Sequence, residues 1–335
     1  MKIGWLLVGD ERVASSRIQG LSIHRELLAR GVRSEILTAP RSFDTRLHWK
    51  APRRWFEATL RRRDILVFQK VESSRAARFA RLARRLGTRI VFLQADVRES
   101  GFYRVADSVV VSSSELASQL APFCRAPITV IEDAIDLPRE TEAVPSRRRE
   151  RLRVLWIGGR LNFPSLERIR PVLDQAEFRD LDLITVSDHP DAKLGWSRET
   201  ALRELREADV AVLPCLDTPS ARAKSNNRLT LFMGAGIPVV ASPIPAYQAI
   251  VDHGENGFLA ESSEKWAATL RALREPGLRE AVGRAARLNA WGRYAPDVIA
   301  GHWQRHLDQL VAKRRRPVRE APPLAERRGV VRQDS

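Results

Sequence analysis

The sequence predicts an α/β protein built from two doubly wound, Rossmann-like domains facing each other across a cleft, with helices at the C-terminal end. Three observations predict it. Short apolar runs of strand length alternate with segments of helical periodicity, the pattern of parallel sheets covered on both faces. Over residues 132–151 that alternation stops, with Pro138, Pro145 and an acidic-then-basic run in its place, and it then restarts. A chain of 335 residues exceeds one ordinary core and suits two domains of about 150 residues each.

In chain order, the first half predicts strands at 3–8, 34–37, 64–69, 89–93, 108–111 and 128–131. Between them, Ile18, Leu21, Leu27 and Leu28 recur at roughly helical spacing, as do Phe79, Leu82 and Leu86, and a short third helix is expected at 114–120. The second half predicts strands at 154–157, 183–186, 210–213 and 239–241, helices from about Ser165, Arg198, Arg228 and Ser263, and two amphipathic helices after Gly283. The domains are therefore placed at 1–137 and 152–290, joined by a linker at 138–151 and followed by helices at 291–313. The basic tail, 314–335, lacks the apolar content to pack and is expected to be disordered.

Composition narrows the function classes. Hydrophobic residues make up 44% and charged residues 29%, the mix of a soluble globular protein. The two cysteines, Cys124 and Cys215, sit in apolar surroundings, which argues against a disulfide framework or a thiolate zinc site and for a reducing cytoplasm. No run is long and apolar enough to span a membrane, and Asp10, Glu11 and Arg12 cut the N-terminal apolar stretch short. The net charge of +16 is concentrated: Arg41 to Arg89 holds 15 Lys and Arg against 4 Asp and Glu, and Lys313 to Ser335 holds 8 against 3. Such a surface suits nucleic acid, an anionic bilayer or phosphate-bearing substrates. No nucleic-acid-binding signature accompanies it, so nucleic acid is not expected as a partner. Around Trp55, Phe56, Thr59 and Leu60 an apolar side ringed by arginines reads either as an interfacial helix on an anionic membrane surface or as a basic helix packed on the first domain.

The stretch with the clearest chemistry is Asp209-Val-Ala-Val-Leu-Pro-Cys-Leu-Asp217, the loop Lys224-Ser-Asn-Asn-Arg228, and Gly234-Ala-Gly-Ile-Pro-Val-Val-Ala-Ser242. It predicts a buried strand, a cationic loop, an apolar helix, a Gly-x-Pro turn and a second strand. The loop at the carboxyl end of a parallel strand opens on the ligand crevice. Lys224 offers a point charge and Arg228 a rigid donor fork, both suited to phosphate oxygens. Asn226 and Asn227 suit sugar hydroxyls or a base, or cap the following helix. Tyr247, closing the stiff loop that begins at Ser242, is grouped with them on the sugar or nucleoside side.

At the entry to the second domain, Gly158-Gly159-Arg160 follows a strand. Two glycines allow a tight turn and close backbone approach, so the turn reads as a diphosphate contact or simply as a strand-to-helix joint. Ser187 and Asp188 end another strand of that domain and could touch base or ribose. In the first domain, Ser15, Ser16 and Arg17 begin a helix after the first strand and face a phosphate or acceptor. Asp96, at a strand end, serves as a base or acceptor-orienting group, or as a turn aspartate. Asp180 and Asp182 have the spacing of a metal-binding pair but come before their apolar strand and read as a turn, and His302 with His306 lie four apart on a helix with no third ligand, so no metal site is expected.

The runs from Asp209 and Gly236, with Ile250-Val-Asp-His-Gly-Glu-Asn-Gly-Phe-Leu259, resemble the nucleotide-sugar domain of GT-B glycosyltransferases, especially the family 4 type. Trp156-Ile-Gly-Gly-Arg160 is similar to that family's opening strand and glycine loop, and Ile131-Glu-Asp-Ala-Ile-Asp136 resembles the end of its first domain. The resemblance implies a metal-independent, hexosyltransferase-like enzyme that moves a sugar from a nucleoside diphosphate sugar to an acceptor, with no cofactor beyond that substrate. It also implies that the family's two glutamates, eight residues apart, fall at Ala223 and Leu231, and that its first-domain histidine falls near Val67-Phe-Gln-Lys70. None of these residues is present here.

The expectation is therefore a cytoplasmic glycosyltransferase, peripheral on the inner face of a membrane, with a glycan or lipid-linked acceptor of the cell surface. The missing glutamates keep two alternatives open: a sugar-nucleotide epimerase of the same fold, or a catalytically silent nucleotide-sugar-binding protein.

Overall fold

The structure, a computed structural model, describes residues 1–47, 63–145, 147 and 149–315, the last three by backbone only. The basic segment around Trp55 and the tail beyond Arg315 lie outside the described residues.

The first sheet takes β1 (Lys2–Leu7), β2 (Arg33–Thr38), β3 (Ile65–Gln69), β4 (Arg89–Leu93), β5 (Ser108–Val111) and β6 (Ile128–Val130) in the order β2-β1-β3-β4-β5-β6. Its strands pair in parallel, with Ile3 opposite Ile65 and Ile65 opposite Arg89. Burial on both faces explains why 65–68 of β3 and 109–111 of β5 are unbroken apolar runs. Alternate residues of β1 serve different cores: Ile3, Trp5 and Leu7 face one apolar cluster, and Leu6, with Val8 just beyond the strand, another.

The second sheet takes β7 (Leu152–Ile157), β8 (Leu181–Ser187), β9 (Leu194–Gly195), β10 (Val210–Leu213), β11 (Val239–Ala241) and β12 (Phe258–Leu259) in the order β12-β11-β10-β7-β8-β9. The short β9 and β12 escape sequence reading because two residues carry no periodicity. The strand order reverses between β7 and β10 here, and between β1 and β3 in the first sheet. Those are the switch points at which open parallel sheets bind ligands.

Two expectations are corrected. The helix expected from Ser165 is a 3-10 run, Arg160–Arg168, with Pro164 inside it, followed by the short helix Arg170–Leu173. Proline's missing N–H and fixed φ explain why no regular α-helix forms there. The helix expected after Gly283 begins earlier, as Pro276–Tyr294. Proline suits its first turn, and the Glu275 side chain accepts from the Gly277 N–H.

The last helix, Pro296–Arg315, packs back on the first domain, with the Trp303 ring 5.5 Å from Trp5 and the Arg30 guanidinium donating to the Asp297 carbonyl. One apolar cluster therefore runs through both domains, joined by Ile131, Ala134, Ile135 and Leu137. No helix among the described residues is long and apolar enough to cross a membrane.

Candidate functional site

The carboxyl ends of the two sheets face each other across a cleft of about 510 Å3. Segments that follow the strands of both switch points line it: Ser15 and Arg17 after β1, Lys70 after β3, Gly158 and Gly159 after β7, and Lys224, Asn227 and Arg228 after β10. Asp96, Asp133, Asp136, Asp188, Trp196 and Arg198 are also on its lining.

On the second-domain side, the Gly158-Gly159 turn is closed by the Arg160 N–H, which donates to Asp188 Oδ1 at 2.6 Å. Gly158 has a steric reason: a Cβ there would stand 2.6 Å from the Trp156 ring and 3.3 Å from Arg228 Nη1. The Arg228 guanidinium thus lies directly against the glycine turn. Behind it stand the buried Cys215 and Tyr247, and burial pushes both of their ionisations up. Among the described residues, Arg228 Nη1 and the Tyr247 hydroxyl have no hydrogen-bond partner. The Lys224 ammonium donates to Asn162 Oδ1, a neutral acceptor. Burial first, and the Arg228 cation second, push Lys224 below the usual lysine range. Two partly desolvated cations stand beside the glycine turn with no carboxylate ion pair to either among the described residues, a chemistry suited to the oxygens of a multivalent oxyanion.

On the first-domain side, Arg17 forms a two-pronged ion pair with Asp136, at 2.9 and 2.6 Å. Arg198 approaches the same carboxylate at 3.6 Å from the second domain. Lys70 Nζ lies 2.5 Å from the Asp96 carboxylate. Asp133 is buried; Gln19 Nε2 donates to its Oδ1 at 2.8 Å, and burial pushes its carboxyl up despite that bond and one from Ser225.

The structure brings together Ser15, Arg17, Asp96, Gly158, Gly159, Asp188, Lys224, Asn227 and Arg228 on the cleft wall. Five other sequence candidates sit elsewhere. Asn226 is buried, and both atoms of its amide bond to the Asp133 backbone at 3.1 Å. It stands at the helix N-cap but makes no capping bond. Tyr247 is buried behind Arg228 rather than on the wall. Ser187 is buried and accepts from the His189 N–H, and Ser16 is buried and donates to Gln69 Oε1. Arg160 contributes its backbone N–H, while its side chain is exposed outside the wall.

Sequence reading did not single out Lys70, Asp133, Asn162, Trp196 or Arg198 as site residues. A signal for Lys70 existed, since it directly follows a buried strand at a switch point. Trp196 and Arg198 carried none, because they depend on the two-residue β9. The positions aligned with the missing glutamates hold Ala223, buried, and Leu231, on the cleft wall. Asp180 pairs with Arg274, Asp182 with Lys193, and His306 with Ser108. Among the described residues no group of three or more His, Cys, Asp and Glu gathers as a metal would require.

Residues 141–275 match the family model described as Glycosyl transferases group 1. No curated protein sequence matches the chain. Among solved structures, the chain is similar to Alr3699/HepE of Anabaena in complex with UDP and glucose, at 15% identity and a TM-score of 0.63, over 92% of this chain and 99% of that one. It is similar to a glycosyltransferase from Rickettsia africae, at 12% identity and a TM-score of 0.67, over 92% and 98%. Sucrose-phosphate synthase from Thermosynechococcus elongatus matches at 15% identity and a TM-score of 0.65, over 93% and 99%. At these identities the likeness is one of fold, and the fold is GT-B.

Proposed function

From a GT-B chain whose second domain matches the group 1 glycosyl transferases, we infer a glycosyltransferase that moves a sugar from a nucleoside diphosphate sugar to a hydroxyl-bearing acceptor. The observation that carries this reading is the pair Lys224 and Arg228, set against the Gly158 turn at the second sheet's switch point. The matched segment contains all three residues.

In the proposed reaction, the donor diphosphate lies along Gly158, Gly159, Lys224 and Arg228, with the nucleoside and sugar toward Asp188, Asn227 and Trp196. The bond from the sugar's anomeric carbon to the β-phosphate oxygen breaks, and its electron pair leaves with the diphosphate. A new bond forms from the acceptor oxygen, whose proton passes to Asp96 on the opposite wall. Lys224 and Arg228 offset the leaving group's charge, which is the task a divalent metal performs elsewhere. The proposal therefore calls for no metal and no cofactor. Ser15 and Arg17 face the acceptor. A glycan or lipid-linked acceptor at the inner face of a membrane fits the concentrated positive charge.

Ala223 and Leu231, where the resemblance places carboxylates, favour one second reading: a protein that binds the nucleotide sugar without turning it over. A thermal-shift panel of UDP, GDP, ADP and CMP sugars tests binding, and nucleotide release with and without added saccharide acceptors tests turnover. Stabilisation by a sugar nucleotide with acceptor-dependent release supports transfer. Release of an isomerised sugar nucleotide without acceptor would point to epimerisation, and stabilisation without release to a binding protein. No stabilisation by any of the sugars would remove the reading altogether.

A further inference from the structure

Lys70 is the only non-glycine residue in the left-handed backbone region among the described residues, with φ of 58°. A non-glycine residue there is strained and persists only where the surroundings fix it, often at functional positions. Two bonds fix it here. The Lys70 N–H donates to the Leu93 carbonyl at 3.0 Å, tying the end of β3 to β4. The ammonium reaches Asp96 at 2.5 Å while lying 5.1 Å from the centre of the Phe43 ring.

The burial of this pair is lopsided. The Lys70 side chain is 10% exposed, and that of Asp96 is 54% exposed. A half-hydrated carboxylate holds a buried ammonium weakly, because it gives up little by returning to water. An ammonium has three donors, so Lys70 keeps capacity for further oxygens. Both residues line the cleft that holds Lys224 and Arg228 on its other wall, and Asp96 is close enough to stabilise the charge of Lys224. Asp96 thus stands between cations contributed by the two domains.

We propose that Lys70 is a further diphosphate-binding residue, supplied by the first domain, and that the diphosphate displaces Asp96 from it. The inference rests on the reading of the cleft as a sugar-nucleotide site. The displaced carboxylate is then free of its ion pair and faces the acceptor hydroxyl. Donor binding and readiness of the base become one event, and the diphosphate links the two domains.

Isothermal titration of the full chain with UDP, and separately with inorganic pyrophosphate, tests this in the wild type, Lys70→Met, Asp96→Asn, their double variant and Lys224→Met. Methionine keeps the stem's packing and removes only the charge. Lys70→Met should weaken pyrophosphate about tenfold or more, the effect of losing a hydrogen bond to a charged group. Asp96→Asn should tighten it severalfold, and that gain should shrink in the Lys70→Met background, where no ion pair remains to be displaced. An equal gain in both backgrounds would reduce Asp96 to simple repulsion and overturn the displacement. Wild-type affinity in Lys70→Met, alongside lost affinity in Lys224→Met, would overturn the role of Lys70 and leave the reading of the cleft standing. Failure of the wild type to bind either ligand would take down both.

Discussion

The side-chain amide of Asn226 brackets the backbone of Asp133: it accepts from the Asp133 N–H and donates to the Asp133 carbonyl, both at 3.1 Å. Asp133 follows the last strand of the first domain and Asn226 precedes the helix Asn227–Gly234 of the second. The loop that carries Lys224 and Arg228 is thus pinned to the chain that leaves the first domain. Asn226→Ala leaves two buried backbone groups without partners and should destabilise the protein by about 2–4 kcal/mol. Urea unfolding measures this, and a midpoint within error of the wild type would contradict it.

Arg17 and Asp136 form the second strong tie within the cleft, with side-chain exposures of 7% and 17%. Removing the cation leaves a carboxylate whose remaining cationic neighbour is Arg198 at 3.6 Å. Arg17→Met should cost about 3 kcal/mol, as breaking a buried pair does. Asp136→Asn with Arg17→Met should recover part of that loss. Thermal melting of the four proteins gives the coupling, and strict additivity would show that the pair does not act as one.

Lys224 predicts opposite pH responses of stability and binding. Its folded-state ionisation is lowered by burial and by Arg228. Between that lowered value and the usual lysine value, the unfolded chain binds more protons than the folded one, so stability rises with pH. Diphosphate affinity needs the ammonium and should fall across the same interval. Calorimetric titration with UDP and urea unfolding at matched pH values should show the crossing trends, and Lys224→Met should flatten both. A slope of the same sign in both measurements would reject the assignment.

Gly236 and Gly283 explain the Gly-x-Pro turn. Gly236 has φ of 78°, and a Cβ on Gly283 would stand 2.1 Å from the Gly236 carbonyl oxygen. Gly236→Ala should cost about 1–2 kcal/mol from backbone strain. Gly283→Ala should cost about 2–3 kcal/mol, because rigid backbone rather than a side chain must yield. Melting temperatures of the two variants test the order, and a smaller loss in Gly283→Ala would contradict the close approach.

Strands such as Arg89–Leu93, Ser108–Val111 and Val210–Leu213 were legible to the residue, because burial on both sides of a parallel sheet forces an uninterrupted apolar run. The two-residue strands and the 3-10 run after Gly159 were not, because their conformation follows from neighbours rather than from their own spacing. Within the site, the position of Lys224 and Arg228 was readable as the loop after a central strand. The assignment of Asn226 beside them was not, since adjacent residues at the start of a helix point to different sides and local sequence does not say which side is the cleft.

The sequence by itself determined two wound α/β units, the loops at their strand ends and an excess of positive charge, since these follow from apolar periodicity, chain punctuation and composition. Tertiary structure alone decided how the cations are surrounded: Arg17 meets Asp136 across 119 residues, Lys70 meets Asp96, Lys224 meets the neutral Asn162, and Arg228 lies against the Gly158 turn. Desolvation and charge pairing depend on which groups converge in space, and that convergence is made by the topology of the two sheets.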